Sequence, residues 1–468
     1  MSSITFAAAL RTERKVFTTT LAVTAATALG AALRFYKLGQ WSFWIDEVIT
    51  LRRAEPLTVM DIFREPASRA FIGSALDLFG TSEWSARLVP ALVGVITIPA
   101  LYLIVRRMAD QEVALMASLL LAVSPWHIYW SQNARFYAIL LLLYTIALFA
   151  FYVGIEENRP GYLIIAGAML FLAARERPIA MFLLPVAGAY LGGILLFRFE
   201  RPSGLNWRNV ALLSAMGLGL ALLITGTFID TPTQWSDAFS RINTNPLWIL
   251  SGVVFYVGVA VIVLAAFGGA YLLHLRDRAA LLLTLSAIIP LVMVMGLSLL
   301  QYAANRYMFM TLPSYLILAG VAIWELFRRS DQVGRLIAAG VLTLLVVTSL
   351  SEDVLYYRFQ NGNRDDWRGA LQVVKSRMQP GDLVVSSAPN VASYYLGAPV
   401  MSLENFDLEA LYQSEEPIWF VEDMNAAGRY PAANQWMTKN AELVANLDVH
   451  VRARNFLMRV RYYDPAEG

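Results

Sequence analysis

The chain has 468 residues, of which 57% are hydrophobic and 15% are charged, and its mean hydropathy is +0.53. A soluble domain carries about a quarter of charged residues, so the composition excludes an ordinary soluble protein and predicts a polytopic α-helical membrane protein. The net charge of +2 gives no support for nucleic-acid binding. Cysteine is absent and the three histidines are scattered, which excludes disulfides and argues against a histidine-built zinc site.

Stretches of about 20 mainly apolar residues predict membrane-spanning helices. They predict about eleven spans in this chain, and the fifth is the shortest. The predicted spans are residues 16–34, 87–105, 111–129, 136–154, 161–174, 178–197, 209–228, 247–272, 279–300, 307–327 and 335–350. Basic residues precede the first span, but no clear cleavage pattern follows it, so we interpret it as a retained anchor rather than a signal peptide.

The arginines predict how the spans are oriented, because positive residues in short loops prefer the cytoplasm. With a cytoplasmic N-terminus, the loops expected inside contain clusters such as Arg106 with Arg107 and Arg328 with Arg329. Residues 35–86 then form the first outer loop. We predict a transmembrane module over 1–350 and an extracytoplasmic, or periplasmic, α/β domain over 351–468.

The C-terminal tail alternates helix, turn and strand signals. The segment "RDDWRGALQVVKSRMQPGDLVVSS" predicts a helix that begins near Asp366, then a turn and a strand. The runs "PIWFVED" and "VRARNFLMRVRYY" predict strands, and "ANQWMTKNAELVANL" predicts a helix between them. Asp365, Asp366 and Trp367 are expected to cap the first helix and to fill the core. Nothing in the sequence matches a phosphate-binding loop or a dinucleotide fingerprint.

Charged residues collect at the outer mouths of the predicted spans. The first outer loop contains Asp46 and Glu47, and the short outer loops contain four arginines, Arg135, Arg175, Arg177 and Arg306. Charged groups at membrane depth are costly and usually face a polar cavity. Any one arginine could simply extend its charge to the interface. Four arginines around an acidic pair favour instead an anionic ligand such as a lipid phosphate.

Several segments resemble the GT-C glycosyltransferases of family 39, the protein O-mannosyltransferase-like enzymes that are related to the aminoarabinose transferases. The segments are "LGQWSFWIDEVIT", "SEWSARLVPALVGVITIPALYLIVRRM", "WSQNARFYAILLLL", "NRYMFMTLPSYLILAG" and "RDDWRGALQVVKSRMQPGDLVV", which together cover most of the chain. The acidic pair and the Ser–Gln–x–Ala–Arg segment are the most specific of these features. The resemblance implies a GT-C fold.

The chain departs from the family at one place. Many members have His–Pro–Pro–Leu–Tyr, or a lysine version of it, ahead of the second span, where this chain reads "FREPASRAF". The contact of that histidine or lysine with the donor phosphate would then fall to other residues. Arg64, Arg69, Arg175 and Arg177 are the candidates.

The resemblance implies an inverting glycosyltransferase in the bacterial cytoplasmic membrane. It would move a hexosyl or pentosyl group from a polyprenyl-phosphate donor in the lipid bilayer to an acceptor on the outer face, and the acceptor could be a protein, a lipid or a polysaccharide. No cofactor is predicted, although two adjacent carboxylates leave a divalent cation open.

The same resemblance suggests roles for individual residues. Asp46 is the expected general base, and Glu47 would orient an arginine or bind sugar hydroxyls. Arginines would hold the donor phosphate, with Arg135 and Arg306 as the leading candidates and Arg175, Arg177 and Arg64 beside them. The expected substrate-binding residues are Trp44, Gln132, Tyr137 and Tyr307.

Structural alternatives exist for several of these residues. Asp46 could be the N-cap of a helix that "DEVITLRRA" opens. Gln132 and Tyr137 could serve helix packing, and the aromatic residues of the first loop could anchor in the lipid headgroups.

Two other functions would also use charge on the outer side. A transporter or flippase of lipid-linked glycans would place polar groups near the membrane midplane, typically at broken helices, whereas the predicted span interiors here are nearly free of charge. A receptor or scaffold that acts through residues 355–468 leaves the charged rim unexplained. The pattern therefore favours the enzyme.

Overall fold

The structure is a computed structural model that describes residues 3–53, 66–229, 245–300, 302–405, 416–451 and 455–466, with the backbone alone for 3–16, 223–229 and 405. Helices dominate the first 358 residues. They are Ser3–Phe35, Ile45–Arg53, Ala67–Phe79, Glu83–Val105, Gln111–Ala122, Pro125–Ser131, Tyr137–Glu156, Pro160–Glu176, Leu183–Leu196, Trp207–Ile229, Leu247–Val257, Val259–His274, Arg278–Ser298, Leu312–Arg329 and Gln332–Arg358. The 3-10 helices Pro178–Phe182 and Asn305–Thr311 lead into two of them.

Within the described residues, six helices are long and apolar enough to cross a membrane. They are Glu83–Val105, Tyr137–Glu156, Pro178–Leu196, Arg278–Ser298, Asn305–Arg329 and Gln332–Arg358, and two bent helix pairs raise the number to as many as eight. The other expected spans, 16–34, 161–174 and 209–228, fall on the helices Ser3–Phe35, Pro160–Glu176 and Trp207–Ile229. The mainly helical, multi-span architecture is confirmed, and the total of eleven spans stays a prediction.

The two bent pairs have identifiable local causes. The helices Gln111–Ala122 and Pro125–Ser131 meet at 59°, because proline has no N–H to continue the helix. The freed carbonyl groups of Leu121 and Ala122 accept hydrogen bonds from the buried guanidinium of Arg34 at 3.0 and 2.9 Å. The helices Leu247–Val257 and Val259–His274 meet at 95°, and Gly258 between them has a φ of 90°, which glycine adopts without strain.

A mixed sheet with the strand order β2-β1-β3-β5-β4 lies in the C-terminal part. Its strands are β1 Leu383–Ser386, β2 Met401–Ser402, β3 Ile418–Glu422, β4 Glu442–Asn446 and β5 Arg459–Tyr463. β1 is parallel to β2 and β3, and β5 is antiparallel to β3 and β4. The helices around the sheet are Trp367–Arg377, Pro389–Leu396, Ala426–Arg429 and Pro431–Asn440, with 3-10 turns at Asn361–Asn363 and Leu403–Asn405.

The tail follows most of the predicted pattern. The helix Trp367–Arg377 begins where expected, since the Asp366 carboxylate accepts a hydrogen bond from the Gly369 N–H at 3.0 Å and Trp367 is buried. "PIWFVED" contains β3, as predicted. The predicted helix over "ANQWMTKNAELVANL" is wrong in its second half, because Glu442–Asn446 pairs with β5 as strand β4. The helix Gln332–Arg358 also runs without a break through the expected boundary at 350/351.

The segment predicted to be the first outer loop packs, in its described residues, against the C-terminal part. Phe43 and Val48 from this loop share one buried apolar cluster with Trp367 and with Val421 of β3, and Ala134 joins the cluster from the membrane part. The C-terminal part thus packs on the segment that contains the acidic pair, with the helix Pro389–Leu396 in direct contact with it through Tyr394 and Tyr395.

Candidate active site

The acidic pair lies in the first turn of the helix Ile45–Arg53. The backbone N–H of Trp44, which precedes this helix, donates to the Glu47 carboxylate at 3.4 Å. Glu47 thus supplies the side-chain cap, and the alternative in which Asp46 is the N-cap does not hold. Successive residues of a helix point in different directions, so the two carboxylates face different surroundings.

Glu47 is completely buried among protein donors. Arg87 binds it through two hydrogen bonds of 2.8 Å, from Nε and Nη2, and the Ala134 N–H donates to it at 2.7 Å. Burial alone would raise the pKa of Glu47, but the charges of Arg87 and Arg364 and the hydrogen bonds from Arg87 and Ala134 outweigh it and lower the pKa below its usual value. Of the two roles expected for Glu47, this geometry favours the orientation of an arginine.

Asp46 is more accessible, with 25% of its side chain exposed. Its Oδ2 lies 3.6 Å from Nη2 of Arg135 and 3.9 Å from Nη2 of Arg306. Both separations are longer than a hydrogen bond. The carboxylate is therefore held beside two guanidinium groups while it keeps an accessible face.

Arg135 is anchored on the same helical turn. Its Nη1 donates to the backbone carbonyl of Asp46 at 2.9 Å and to the Thr50 hydroxyl at 2.8 Å. Burial, with the nearby charges of Arg177 and Arg306, lowers the pKa of Arg135 despite the opposing charge of Asp46. Arg177 and Arg306 thus both lie close enough to Arg135 to repel its charge.

Aromatic rings support these guanidinium groups. Arg135 and Arg177 both contact the ring of Phe136, with their Cζ atoms 5.1 and 4.8 Å from its centroid. Arg306 lies over the ring of Trp44 at 5.9 Å. Such cation–π contacts hold a cation in place without neutralising it. The cluster therefore keeps its positive charge.

Several donors of the cluster are unsatisfied. In the part of the chain that the structure describes, the buried Nε atoms of Arg135, Arg177 and Arg306 have no hydrogen-bond partner, and neither has the buried hydroxyl of Tyr137. Electrostatic interactions connect that hydroxyl with all three arginines and with Tyr307. A buried donor without a partner costs about 1–3 kcal/mol. An oxyanion would satisfy such a set with charge-assisted hydrogen bonds.

The structure brings most of the predicted site residues together. Trp44 joins the cluster under Arg306, and its Nε1 donates to Asn133 at 2.8 Å. Tyr307 follows Arg306 in the 3-10 helix Asn305–Thr311. Arg175 is half-buried in the last turn of Pro160–Glu176, two positions before Arg177. The predicted phosphate ligand Arg64 lies outside the described residues.

Gln132, which was expected to bind substrate, lies among backbone groups of the protein instead. It is completely buried, and its Nε2 donates to the carbonyl groups of Arg34 and Tyr36 at 2.9 and 2.8 Å. Its Oε1 accepts from the Tyr356 hydroxyl at 2.9 Å. The amide therefore caps the end of the first helix, which favours the packing role over substrate binding.

Other residues of the first loop are also structural. Trp41 and Phe43 are 3% and 0% exposed, so neither ring is available to a sugar. Arg87 was not among the predicted site residues, although it is the arginine of the "SARLVP" motif that carries part of the family resemblance. In the described segments, no group of three or more histidine, aspartate or glutamate side chains is arranged to hold a metal ion.

The family model described as dolichyl-phosphate-mannose-protein mannosyltransferase matches residues 64–227. No curated protein matches the chain in sequence.

Among solved structures, ArnT from Cupriavidus metallidurans in the apo state superposes with a TM-score of 0.60 at 16% identity, over 95% of this chain and 98% of ArnT. The same protein bound to undecaprenyl phosphate gives a TM-score of 0.58 at 14% identity, over 94% and 97%. AglB from Archaeoglobus fulgidus, in complex with an inhibitory peptide and a dolichol-phosphate, gives 0.58 at 13% identity, over 88% of this chain and 70% of AglB. At these identities the likeness is one of fold. The chain therefore shares the fold of ArnT and AglB, and about a third of it matches the mannosyltransferase family model.

Proposed function

We propose that the protein is a membrane glycosyltransferase that moves a sugar from a polyprenyl-phosphate-linked donor to an acceptor hydroxyl, with inversion at the sugar carbon. One observation carries the proposal. The accessible carboxylate of Asp46 stands beside Arg135 and Arg306, and these arginines and Arg177 keep unsatisfied, buried Nε donors. ArnT, which shares the fold, has been solved with undecaprenyl phosphate, and this likeness supports a lipid phosphate as the anion.

The chemistry requires a base and a place for developing negative charge. Asp46 takes the proton from the acceptor hydroxyl as its oxygen attacks the sugar carbon, a role that contributes typically 10²–10⁴-fold to a rate. The bond between that carbon and the phosphate oxygen breaks, and the polyprenyl phosphate leaves with one more negative charge than it had as a diester. Arg135, Arg177 and Arg306 stabilise that charge in the transition state more than in the ground state.

The surroundings of Asp46 suit a sugar between the base and the phosphate. Trp44 is half-buried beside Arg306, and its ring can offer an apolar face to a sugar. Tyr307, which follows Arg306 in sequence, is a partly buried side chain that carries a hydroxyl. The same cluster therefore provides both polar and apolar contacts for a hexosyl or pentosyl group.

The proposed location is the outer face of the bacterial cytoplasmic membrane, with the N-terminus in the cytoplasm. The helix Glu83–Val105 supports this orientation. Its first turns carry Arg87 at the acidic pair, while the exposed Arg106 and Arg107 follow its other end. A helix of this length is about 35 Å long, which is enough for the site and these two arginines to face opposite sides of the membrane.

The transporter alternative is favoured only by the two broken helices. A transporter uses the freed backbone groups of such breaks as ligands for its substrate. At the first break, however, Arg34 already binds the carbonyl groups of Leu121 and Ala122. At the second break, Tyr256 stacks on Trp126 at a centroid distance of 5.3 Å. The first break is thus occupied by a side chain of the protein itself, and the second carries an aromatic stack, so we retain the enzyme.

Mass spectrometry of cell-envelope glycans tests the proposal and identifies sugar and acceptor together. Cells without the protein should lack one sugar substituent, which wild-type protein restores and the Asp46→Asn variant does not. Identical glycans in all three strains would contradict the proposed transfer.

A further inference from the structure

Arg364 is a buried charged residue that the proposed chemistry does not use. It lies between the last membrane helix, Gln332–Arg358, and the tail helix Trp367–Arg377, and only 2% of it is exposed. Its Nη2 donates to the backbone carbonyl of Gln132 at 2.7 Å, and its Nε lies 3.8 Å from Oε2 of Glu47. The tail thus inserts a guanidinium group behind the acidic pair.

Both partners of Arg364 are close in sequence to reactive groups. Glu47 follows Asp46 in the chain. Gln132 begins the turn that leads to Arg135, and Glu47 also accepts the N–H of Ala134 in that turn. Arg364 therefore touches the two segments whose relative position sets the 3.6 Å separation of Asp46 and Arg135.

Stability alone gives a poor reason for this arrangement. Burying a guanidinium group is expensive unless its hydrogen bonds are satisfied. In the described residues, Nε and Nη1 of Arg364 have no partner with good hydrogen-bond geometry, although the guanidinium group interacts with the Tyr356 hydroxyl and lies over the ring of Tyr129 at 5.6 Å. A buried, incompletely paired charge beside a reactive site calls for another explanation.

We propose that Arg364 is a positioning residue, which fixes Glu47 and the turn 132–135 to each other so that Asp46 and Arg135 keep their working geometry. The proposal rests on the proposed function of Asp46 and Arg135. Without the guanidinium group, the helix Ile45–Arg53 and the turn 132–135 can separate. A misplacement of about 1 Å can cost on the order of 10²-fold in rate.

The test compares two arginine variants of the full-length protein in lipid nanodiscs. Arg364→Met removes the proposed contact. Arg461→Met is the matched control, because Arg461 forms a comparably buried pair with Glu422 inside the sheet at 2.8 Å and its strand, β5, pairs with β3 and β4. Each variant is assayed for kcat and KM per folded protein, and for hydrogen exchange in peptides that cover residues 45–53 and 130–137.

We expect Arg364→Met to lower kcat about 10- to 100-fold and to speed exchange at the Ala134 amide. The control should lower the melting temperature while it leaves kcat and that exchange unchanged. Arg364→Lys, which keeps the charge and so favours folding, should recover part of kcat. An equal effect of the two methionine variants, or unchanged kcat and exchange in Arg364→Met and Arg364→Lys, would overturn the proposal.

The two readouts separate the positioning role from the proposed function. If the wild-type protein transfers no sugar, the proposed function fails. Hydrogen exchange at Ala134 then decides by itself whether Arg364 holds the turn, since that measurement needs no substrate.

Discussion

Arg135 contacts both the backbone and the side chain of Asp46. Its Nη1 donates to the backbone carbonyl of Asp46 at 2.9 Å, while its Nη2 lies 3.6 Å from the carboxylate of the same residue. The first contact fixes the turn on which the proposed base stands. The second leaves the base accessible, because it is too long for a hydrogen bond. A single guanidinium group can thus orient the base and face the donor phosphate.

Asp46→Asn should abolish sugar transfer and leave the protein folded. The amide has nearly the same shape but cannot take a proton at neutral pH, so kcat should fall by about 10²–10⁴-fold. The value of kcat is measured by steady-state kinetics of sugar transfer with purified protein. Asp366→Asn is the control, since Asp366 caps a tail helix, asparagine caps equally well, and kcat should stay unchanged. Near-normal turnover in the Asp46→Asn variant would remove the general base from the proposal.

Glu47→Gln should act on stability instead. It leaves the buried Arg87 without its ion-pair partner, and breaking a buried pair on one side costs about 3–5 kcal/mol. The melting temperature and the yield of folded protein should therefore fall well below those of Asp46→Asn. Equal melting temperatures for the two variants would show that Glu47 has no such role.

The pH dependence of stability should follow from the same pair. The pKa of Glu47 is lower in the folded protein than its ordinary value. The ionised group therefore stabilises the folded state above the ordinary carboxyl pKa, and this contribution is lost as the pH falls below about 4, through the folded-state pKa. Wild-type melting temperatures should drop over this range by more than those of Glu47→Gln. Parallel curves would contradict the assignment.

The topology can be tested with an impermeant thiol reagent, because the chain has no cysteine. Cysteine at Ser42 would be a poor probe, since Ser42 is buried. The exposed positions Gln40 and Met401 replace it on the proposed outer side, and Arg201 serves on the inner side. In intact cells, cysteines at 40 and 401 should be labelled and a cysteine at 201 should not. Labelling of the cysteine at 201 alone would show that the orientation is the reverse of the proposed one.

The tail, expressed as residues 355–468, should show a mixed α/β circular dichroism spectrum but a lower melting temperature than in the full chain. Its own sheet supplies the secondary structure. Trp367 and Leu371, however, share a buried cluster with Phe43 and Val48 of the first loop, and isolation exposes that apolar surface to water. A random-coil spectrum would show that the sheet needs the membrane part to fold.

Much of this architecture is predictable from the sequence, because the length of an apolar stretch predicts a membrane helix and the arginines beside it predict its orientation. The acidic pair and three of the arginines were also predictable, since charge at a helix mouth is unusual in a membrane protein. The role of Gln132 was not, because a buried amide that caps the first helix and one that binds a sugar look alike in sequence. Strand β4 was not predicted either, because its pairing with β5, which is distant in sequence, overrides a local helical pattern.

The burial of Glu47 also depends on distant parts of the chain. Arg87 comes from the next membrane helix and Arg364 from the tail, and only the folded chain brings both to the carboxylate. The sequence separation between these residues hides the pairing, although the "SARLVP" motif marks Arg87 as unusual.

The most direct test of the lipid-phosphate site is a titration of the purified protein with undecaprenyl phosphate. Arg135→Gln and Arg306→Gln should each raise Kd about 10- to 150-fold, because a hydrogen bond to a charged group contributes about 1.5–3 kcal/mol. The corresponding lysine variants keep the charge but lose the planar fork, and should bind with intermediate affinity. The control variant is Arg107→Gln. Arg107 follows the end of the helix Glu83–Val105 that is far from the site and pairs there with Glu157, so this variant should bind like the wild type. Unchanged affinity in both Arg135→Gln and Arg306→Gln would contradict a phosphate site at this cluster.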